Sequence, residues 1–333
     1  MTFDSQTTLA DLVERALHAA TCQRTVDFGP IRVRLLGASP EHLERIAEPL
    51  VASTGVSWAP LQVVVATADS VDSRYIPPAL RPRRDQMIVT HSEGITALAN
   101  GSDGTLWLLD AERASATLWI KTFDALPVWE HTSPLRTAAR WWSTVQGAAM
   151  VHAGAVADDE RAVLLVGDSG VGKSTTALSC HRAGLEVLGD DFCLVEPPTG
   201  SAPATVHAMY RLAKLDENAL DLLPHLRAQV IGTGWRGKKL IDLGHDSVTS
   251  RPIVAMCHVV QEPNSPTAAT PLARAQLLRA VAPSTMFQQR LWEHETWNVL
   301  ASTVRSVRCY RLSVSNPIEA PAVLRSILED GSS

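Results

Sequence analysis

The pattern of apolar and polar positions predicts a buried sheet with covering helices in the second part of the chain. Residues 162–166 are five consecutive apolar residues, and such a run is typical of a strand buried on both faces of a parallel sheet. Residues 253–260 form a second buried run, and residues 307–312 predict a late strand. Residues 174–181 are predicted to begin a helix, residues 271–304 to be mainly helical and residues 318–328 to form an amphipathic helix. Residues 130–333 are therefore predicted to form an α/β domain.

The first part of the chain is predicted to contain shorter elements. Residues 9–17 place apolar side chains at helical spacing, whereas residues 31–36 and 61–66 predict strands. Four more short strands are predicted at residues 86–90, 94–99, 105–110 and 116–123. This pattern indicates a smaller α+β domain over residues 1–129.

Composition and charge exclude several classes of protein. The 333 residues carry a formal net charge of −5 and no sustained basic face, so no nucleic-acid partner is expected. The five cysteines are scattered without a C-x-x-C pair, which argues against a zinc ribbon or a disulfide framework. The first residues show no basic stretch followed by an apolar core, and no apolar run reaches membrane-spanning length. We therefore expect a cytoplasmic protein without membrane contact, while its oligomeric state, including a homo-oligomer, stays open.

A phosphate-binding motif directly follows the first buried run, because residues 167–174 read G-x-x-x-x-G-K-S, the pattern of nucleotide-binding loops. Glycines let backbone N–H groups point at a phosphate, and the start of the following helix adds partial positive charge. Lys173 is expected to reach the β- and γ-phosphates of ATP, and Ser174 to place its hydroxyl on Mg²⁺. A chance match in a glycine-rich turn is the alternative, which the strand before and the helix after disfavour. The residues predicted to bind the nucleotide are Gly167, Asp168, Ser169, Gly170, Val171, Gly172, Lys173, Ser174 and Thr175.

An acid pair, Asp190 and Asp191, follows the motif after enough chain for one helix and one strand. Ligands of open α/β sheets bind at the carboxyl ends of strands, so we expect the pair to follow a strand adjacent to the loop strand. Neighbouring carboxylates repel each other, which a divalent cation relieves and which raises the proton affinity of one of them. A kinase needs such groups for its metal ion and its attacking hydroxyl. A solvated turn is the alternative, since Gly-Asp-Asp is common in turns.

These residues together resemble the core of HPr kinase/phosphorylase, a bacterial protein-serine kinase whose fold is related to that of phosphoenolpyruvate carboxykinase. The resemblance rests on residues 167–174, on the Thr-Ala-Leu of residues 176–178, on Gly184 and on the acid pair. It implies a P-loop kinase core of that type, with Asp190 as the base facing the acceptor hydroxyl and Asp191 as a magnesium ligand. It also implies that His152 lies near the transferred phosphate, whereas a lone histidine on a strand is otherwise a core residue.

The chain departs from that family at two places. The family's glutamate after the loop serine is Thr175 here, and its glycine-rich stretch beginning Ile-Arg-Gly is replaced by residues 234–240, Gly-Trp-Arg-Gly-Lys-Lys-Leu. The layout of the whole chain is more similar to the HPr-kinase-like proteins encoded beside ribosomally made peptides, including the lasso-peptide kinases. That resemblance implies that the acceptor is a serine hydroxyl of a precursor peptide.

The basic residues of the replaced stretch are further candidates for the site. Phosphoryl transfer spreads negative charge over the equatorial oxygens, and a cation from another segment stabilises that charge. Arg236, Lys238 and Lys239 are therefore predicted to act on the transferred phosphate, with a solvated basic turn as the alternative.

The leading hypothesis is a kinase dependent on ATP and Mg²⁺ that phosphorylates a serine of a peptide or protein. The alternatives are a small-molecule kinase acting on a free hydroxyl compound and a nucleotide-binding regulatory module without transfer activity. The intact acid pair disfavours the module, because binding alone needs no base. The residues predicted for catalysis are Asp190, His152, Lys173, Lys238, Lys239 and Arg236, and those predicted for the metal are Ser174 and Asp191.

Overall fold

The computed structural model describes residues 7–244, 249–288 and 291–330, which form a mixed α/β protein with several sheets. The chain divides between Trp142 and Ser143 into two compact units. The boundary predicted from the sequence, after residue 129, lies earlier than this division. The indole Nε1 of Trp142 donates a hydrogen bond to the carbonyl oxygen of Ala59 at 3.2 Å, which ties this segment to the first unit. Within the described ranges, no helix is both long enough and apolar enough to cross a bilayer.

The first unit is built on a seven-stranded mixed sheet. Its helices are α1 (Leu9–Ala19), α2 (Pro40–Ala47), α3 (Val128–Thr132) and α4 (Arg136–Val145), the last of which runs across the division. Its strands are β1 (Cys22–Phe28), β2 (Ile31–Gly37), β3 (Leu61–Thr67), β4 (Met87–Ser92), β5 (Ile95–Asn100), β6 (Thr105–Asp110) and β7 (Ser115–Ile120). The order is β1-β2-β3-β7-β6-β5-β4, in which β3 pairs in parallel with β2 and β7. The four short strands predicted between residues 86 and 123 are thus confirmed.

Helix α1 shows why the first apolar pattern forms a helix. The Thr8 side chain accepts the Asp11 N–H at 3.1 Å, and the Asp11 carboxylate accepts the Thr8 N–H at 2.9 Å. This capping box satisfies two backbone donors that would otherwise be unpaired at the helix start. The apolar face of the helix, which includes Leu9, Leu12 and Val13, is buried.

The second unit contains the larger sheet. Its strands are β8 (Ala149–Val151), β9 (Gly154–Ala157), β10 (Ala162–Val166), β11 (Glu186–Gly189), β12 (Cys193–Glu196), β13 (Thr205–His207), β14 (Leu212–Leu215), β15 (Val230–Thr233), β16 (Lys239–Asp242), β17 (Ser250–Gln261), β18 (Ala268–Pro271) and β19 (Arg308–Val314). Its further helices are α5 (Lys173–Arg182), α6 (Glu217–Leu222), α7 (Arg274–Gln288), α8 (Glu293–Ser306) and α9 (Ala320–Glu329). The order of the main sheet is β11-β9-β10-β17-β13-β12-β8, with β19 also paired to β17 and β18 paired to β19. A separate three-stranded sheet has the order β14-β16-β15.

The centre of the main sheet explains the longest apolar runs of the sequence. Strand β17 pairs antiparallel with β13 near its start, and further along it pairs in parallel with β10 and with β19. Strand β10 is buried along its whole length, as predicted for residues 162–166. Leu165 of this strand belongs to one core cluster with Leu178 of α5 and Leu324 of α9. Burial of each such leucine contributes about 1.5–3 kcal/mol, so this packing fixes α5 and α9 on the sheet.

One predicted strand is broken in the structure. The mostly apolar residues 150–157 predict a single strand, but β8 ends at Val151 and β9 begins at Gly154. The two halves pair with different strands, because β8 adds to β12 whereas β9 lies between β10 and β11. His152 lies in this break, outside either ladder.

Candidate functional site

The loop that carries the predicted phosphate-binding motif, residues 167–172 (called the phosphate loop below), connects β10 to α5 and contains glycines in left-handed conformations. Gly170 and Gly172 have φ values of +86° and +89°, which side chains with a Cβ rarely adopt. Gly172 is the N-cap residue of α5 and leaves the first turn without a side-chain cap among the described residues. The backbone N–H groups of that turn are therefore available to an anion, and the helix dipole favours negative charge at the same place.

Lys173 is buried beneath this loop, with 6% of its surface exposed. Its Nζ donates hydrogen bonds to the carbonyl oxygens of Gly167 at 2.9 Å and Asp168 at 2.8 Å. Burial lowers the pKa of Lys173, while the nearby carboxylates of Asp191 and Asp190 act in the opposite direction. The loop itself thus holds the ammonium group that was predicted to meet the phosphates.

The sheet topology brings three parts of the chain to one edge. Strand β9 runs antiparallel to both β10 and β11, so its beginning lies at the edge where those two strands end. His152 precedes β9, the phosphate loop follows β10, and the acid pair Asp190–Asp191 follows β11. The expectation that the strand before the acids is adjacent to the loop strand was wrong, since β9 separates them. The loop and the acid pair still lie at the same edge of the sheet, because β10 and β11 run in the same direction.

Asp190 carries an unpaired oxygen inside the site. The residue is 6% exposed, and its Oδ2 accepts the backbone N–H of Lys214 at 2.7 Å. Its Oδ1 is buried and accepts no hydrogen bond of normal geometry within the described residues, although the Ser174 hydroxyl lies close enough to influence this carboxyl. Burial raises the pKa of Asp190, and the charge of Asp191 raises it further against the opposing effect of the Ser174 hydroxyl. An acceptor oxygen of raised basicity suits a general base or a cation ligand.

Asp191 differs from its neighbour because both of its oxygens are engaged. Oδ1 lies 3.2 Å from His152 Nε2, and Oδ2 lies 3.0 Å from Lys214 Nζ. Although burial by itself raises the pKa of Asp191, the Lys214 ammonium and His152 lower it well below the usual range. His152 is in turn held by its backbone N–H, which donates to Thr285 Oγ1 at 3.2 Å. The adjacent acids therefore differ in protonation tendency, as expected where acid–base roles are divided.

Asp191→Asn is expected to lower thermal stability most at neutral pH. A carboxylate with a depressed folded-state pKa stabilises the fold above its unfolded pKa of about 3.9, and this contribution is lost as the pH falls below that value. Thermal unfolding of wild type and Asp191→Asn between about pH 7 and pH 3 measures the difference. The gap in melting temperature should narrow as the pH falls, whereas the exposed Asp159→Asn control should show no such trend. A gap that stays constant over this pH range would contradict the assigned ion pair.

The predicted residues do not all meet in the same place. A cleft of about 430 Å³ is lined by His152, residues 169–176, Asp190, Asp191 and Lys238. Gly167 and Asp168 are not part of this lining, and their carbonyl oxygens accept the hydrogen bonds from Lys173 Nζ. Arg236 is exposed in the turn between β15 and β16 and does not line the cleft. Lys239 also lies outside the lining, with its Nζ 3.9 Å from the Glu217 carboxylate.

The structure adds residues that the sequence did not indicate. Lys214 lines the cleft and contacts both acids. Gln261 at the end of β17 and Ser315 after β19 line it as well. The sequence of β14, Leu-Ala-Lys-Leu, does not alternate between apolar and polar residues, although half-buried and buried positions alternate along the strand in the structure. Nothing in that pattern indicated which group the lysine would face.

The site meets the modest requirements of a magnesium ion bound with a nucleotide. No cluster of three or more His, Cys, Asp or Glu side chains suited to a metal is found in the part of the chain that the structure describes. Magnesium in nucleotide sites is held by one or two carboxylates together with phosphates and water, so such a cluster is not needed. The unpaired Asp190 Oδ1 and the nearby Ser174 hydroxyl offer oxygen ligands of this kind. The predicted assignment of Ser174 and Asp191 to the metal stays a prediction.

Comparison of the chain with known proteins gives a distant structural match. No protein-family model matches the sequence, and no curated protein matches it. Among solved structures, the chain is similar to the Hpr(Ser) kinase/phosphatase from Coxiella burnetii, with 12% identity and a TM-score of 0.29. The match covers 54% of this chain and 94% of that one. These values describe a distant structural relationship.

Proposed function

We propose that this protein is a kinase dependent on ATP and Mg²⁺ that transfers the γ-phosphoryl group to a hydroxyl, the serine hydroxyl of a peptide or protein. The observation that carries this proposal is that one cleft combines a phosphate-binding loop with a buried acceptor oxygen. The loop and the uncapped start of α5 can bind phosphates, and the buried Asp190 offers an acceptor oxygen without a partner among the described residues. A module that only binds nucleotides needs the first of these and not the second.

The residues of the cleft divide the work of phosphoryl transfer as follows. The N–H groups of the loop and Lys173 bind the phosphates of ATP. They stabilise the negative charge that is spread over the phosphate oxygens during transfer. Asp190 takes the proton of the attacking hydroxyl as the new oxygen–phosphorus bond forms and the bond to the leaving phosphate breaks. Ser174 and Asp191 would hold a magnesium ion, which would neutralise further charge on the phosphates. His152 and Lys238 line the same cleft and are proposed to act on the transferred group.

The serine acceptor is supported by the resemblance in layout to kinases that modify ribosomally made peptides. The test is an incubation of the purified protein with ATP, Mg²⁺ and a panel of serine-bearing peptides, each matched with its Ser→Ala counterpart. Mass spectrometry should detect the addition of one phosphoryl group to the serine peptides alone.

The same assay includes small hydroxyl compounds as competing acceptors. Transfer to these compounds and not to peptides would reject the serine acceptor but would retain the proposed kinase activity. Binding of ATP without its consumption by any acceptor would contradict the proposal and favour a nucleotide-binding regulatory module.

A further inference from the structure

Lys214 occupies a fixed position beside the acid pair. It lies in β14, which pairs antiparallel with β16, and it stands opposite Leu240 in that ladder. Its neighbours Ala213 and Leu215 are fully or almost fully buried in the core. Because successive side chains of a strand point to opposite faces, the lysine is directed away from the core and into the cleft.

The residue contacts both acids through different atoms. Its backbone N–H donates to Asp190 Oδ2 at 2.7 Å, whereas its Nζ forms an ion pair with Asp191 Oδ2 at 3.0 Å. The Lys214 side chain is 13% exposed and that of Asp191 is 34% exposed. Replacement of the side chain therefore removes the contact with Asp191 and leaves the backbone contact with Asp190 in place.

The other two lysines of the cleft do not neutralise the acids in this way. Lys173 Nζ donates to two loop carbonyls, and Lys238 lines the cleft without an ion pair to either acid within the described residues. Lys214 is thus the lysine in direct contact with Asp191, through Oδ2, while the other oxygen of that carboxylate lies 3.2 Å from His152 Nε2. The Lys214 ammonium sits on a flexible four-carbon stem, so it can leave the carboxylate without movement of the strand.

We propose that Lys214 is a positioning residue that serves as the counter-ion of Asp191 in the nucleotide-free protein and competes with a divalent cation for that carboxylate. Asp191 becomes a cation ligand when the ammonium is displaced, and the released ammonium stays in the cleft beside the phosphate region. This role rests on the proposed function for its biological meaning, but its physical content is a competition that can be measured without nucleotide.

The test is a titration of the full-length, nucleotide-free protein with Mn²⁺, a paramagnetic substitute for Mg²⁺ whose free concentration is read by electron paramagnetic resonance. Lys214→Met removes the charge, Lys214→Gln keeps a hydrogen-bond donor without charge, and Lys214→Arg keeps the charge. Lys121→Met, at an exposed lysine of the first unit, is the matched control. Circular dichroism checks that each variant is folded.

Lys214→Met and Lys214→Gln are expected to bind Mn²⁺ about tenfold more tightly than wild type, because a unit positive charge within a few ångströms of the ion has been removed. Lys214→Arg and Lys121→Met should bind as wild type does. When Asp191→Asn is also present, the protein with Lys214 and the protein with Lys214→Met should bind Mn²⁺ with the same affinity.

Unchanged or weaker Mn²⁺ binding by folded Lys214→Met and Lys214→Gln would overturn the proposal, since a purely structural lysine produces that result. Absence of Mn²⁺ binding to wild type and to both neutral variants would overturn it as well. Failure of phosphoryl transfer in all proteins, with the Mn²⁺ result intact, would instead reject the proposed function alone.

Discussion

Asp190→Asn is expected to lower the rate of phosphoryl transfer by about 10²–10⁴-fold while ATP affinity stays near that of wild type. The amide has the size of the carboxylate but cannot take the proton of the attacking hydroxyl. Its oxygen can still accept the Lys214 N–H, so the backbone contact at 2.7 Å is kept. Single-turnover transfer, measured over a magnesium titration, separates the chemical step from binding.

Asp191→Asn is the matched variant for this experiment. It is expected to raise the magnesium requirement, because a carboxylate ligand of a hard cation is lost. His152→Ala should cause a smaller defect if the ring only contacts the phosphate. Rescue of Asp190→Asn by excess magnesium, without rescue of Asp191→Asn, would show that the two acids have exchanged roles. If both variants transferred phosphate at the wild-type rate, the acid pair would have no catalytic role and would be only part of a turn.

The same Asp190→Asn protein should be more stable than wild type at neutral pH. Burial raises the pKa of Asp190, so ionisation of this carboxyl costs folding free energy that the neutral amide does not. Thermal unfolding at neutral pH should show this as a higher melting temperature of the variant than of wild type. A substitution that raises stability and removes activity is typical of a residue whose role is functional and not structural.

Lys173→Ala is expected to weaken ATP binding by about 100-fold and to abolish turnover, because charge-assisted hydrogen bonds to phosphate contribute about 1.5–3 kcal/mol each. The buried ammonium now donates to the carbonyl oxygens of Gly167 and Asp168, so a slightly lower melting temperature is also expected. Calorimetric titration with ATP and thermal unfolding measure the two effects. Lys121→Ala, at an exposed lysine, is the control and should change neither.

A Lys173→Ala protein that binds and consumes ATP like wild type would remove the basis of the nucleotide site. A protein that has lost ATP binding through unfolding would be identified by circular dichroism. In that case Lys173→Met, which keeps much of the buried stem volume, is the variant that decides.

The amino-acid sequence by itself determined the parts of the site that depend on chain neighbours. Five apolar residues, a glycine-bearing loop and a helix start follow one another within residues 162–174, so local geometry sets their arrangement. The structure has β10 at Ala162–Val166 and α5 from Lys173 onward, which confirms these elements. The position of the acid pair at the end of a strand was likewise predictable, from the length of chain between the phosphate-binding motif and the pair.

Strand order was not predictable from that spacing. The acids were expected beside the loop strand, but β9, which precedes the motif in sequence, lies between β10 and β11. Which strands become neighbours depends on how the buried faces pack in the whole sheet, and a one-dimensional pattern does not contain that information. The break that frees His152 from the sheet has the same origin, since β8 and β9 pair with different strands.

Only the tertiary structure decided which cations reach the acids. The basic residues 236–239 stand out in the sequence, yet Arg236 is exposed and Lys239 lies near Glu217. Lys214, within β14, forms the ion pair with Asp191. The two residues are 23 positions apart in the chain, and β14 belongs to a different sheet from β11. Their contact arises from the packing of two sheets, whereas the phosphate loop is specified by consecutive residues.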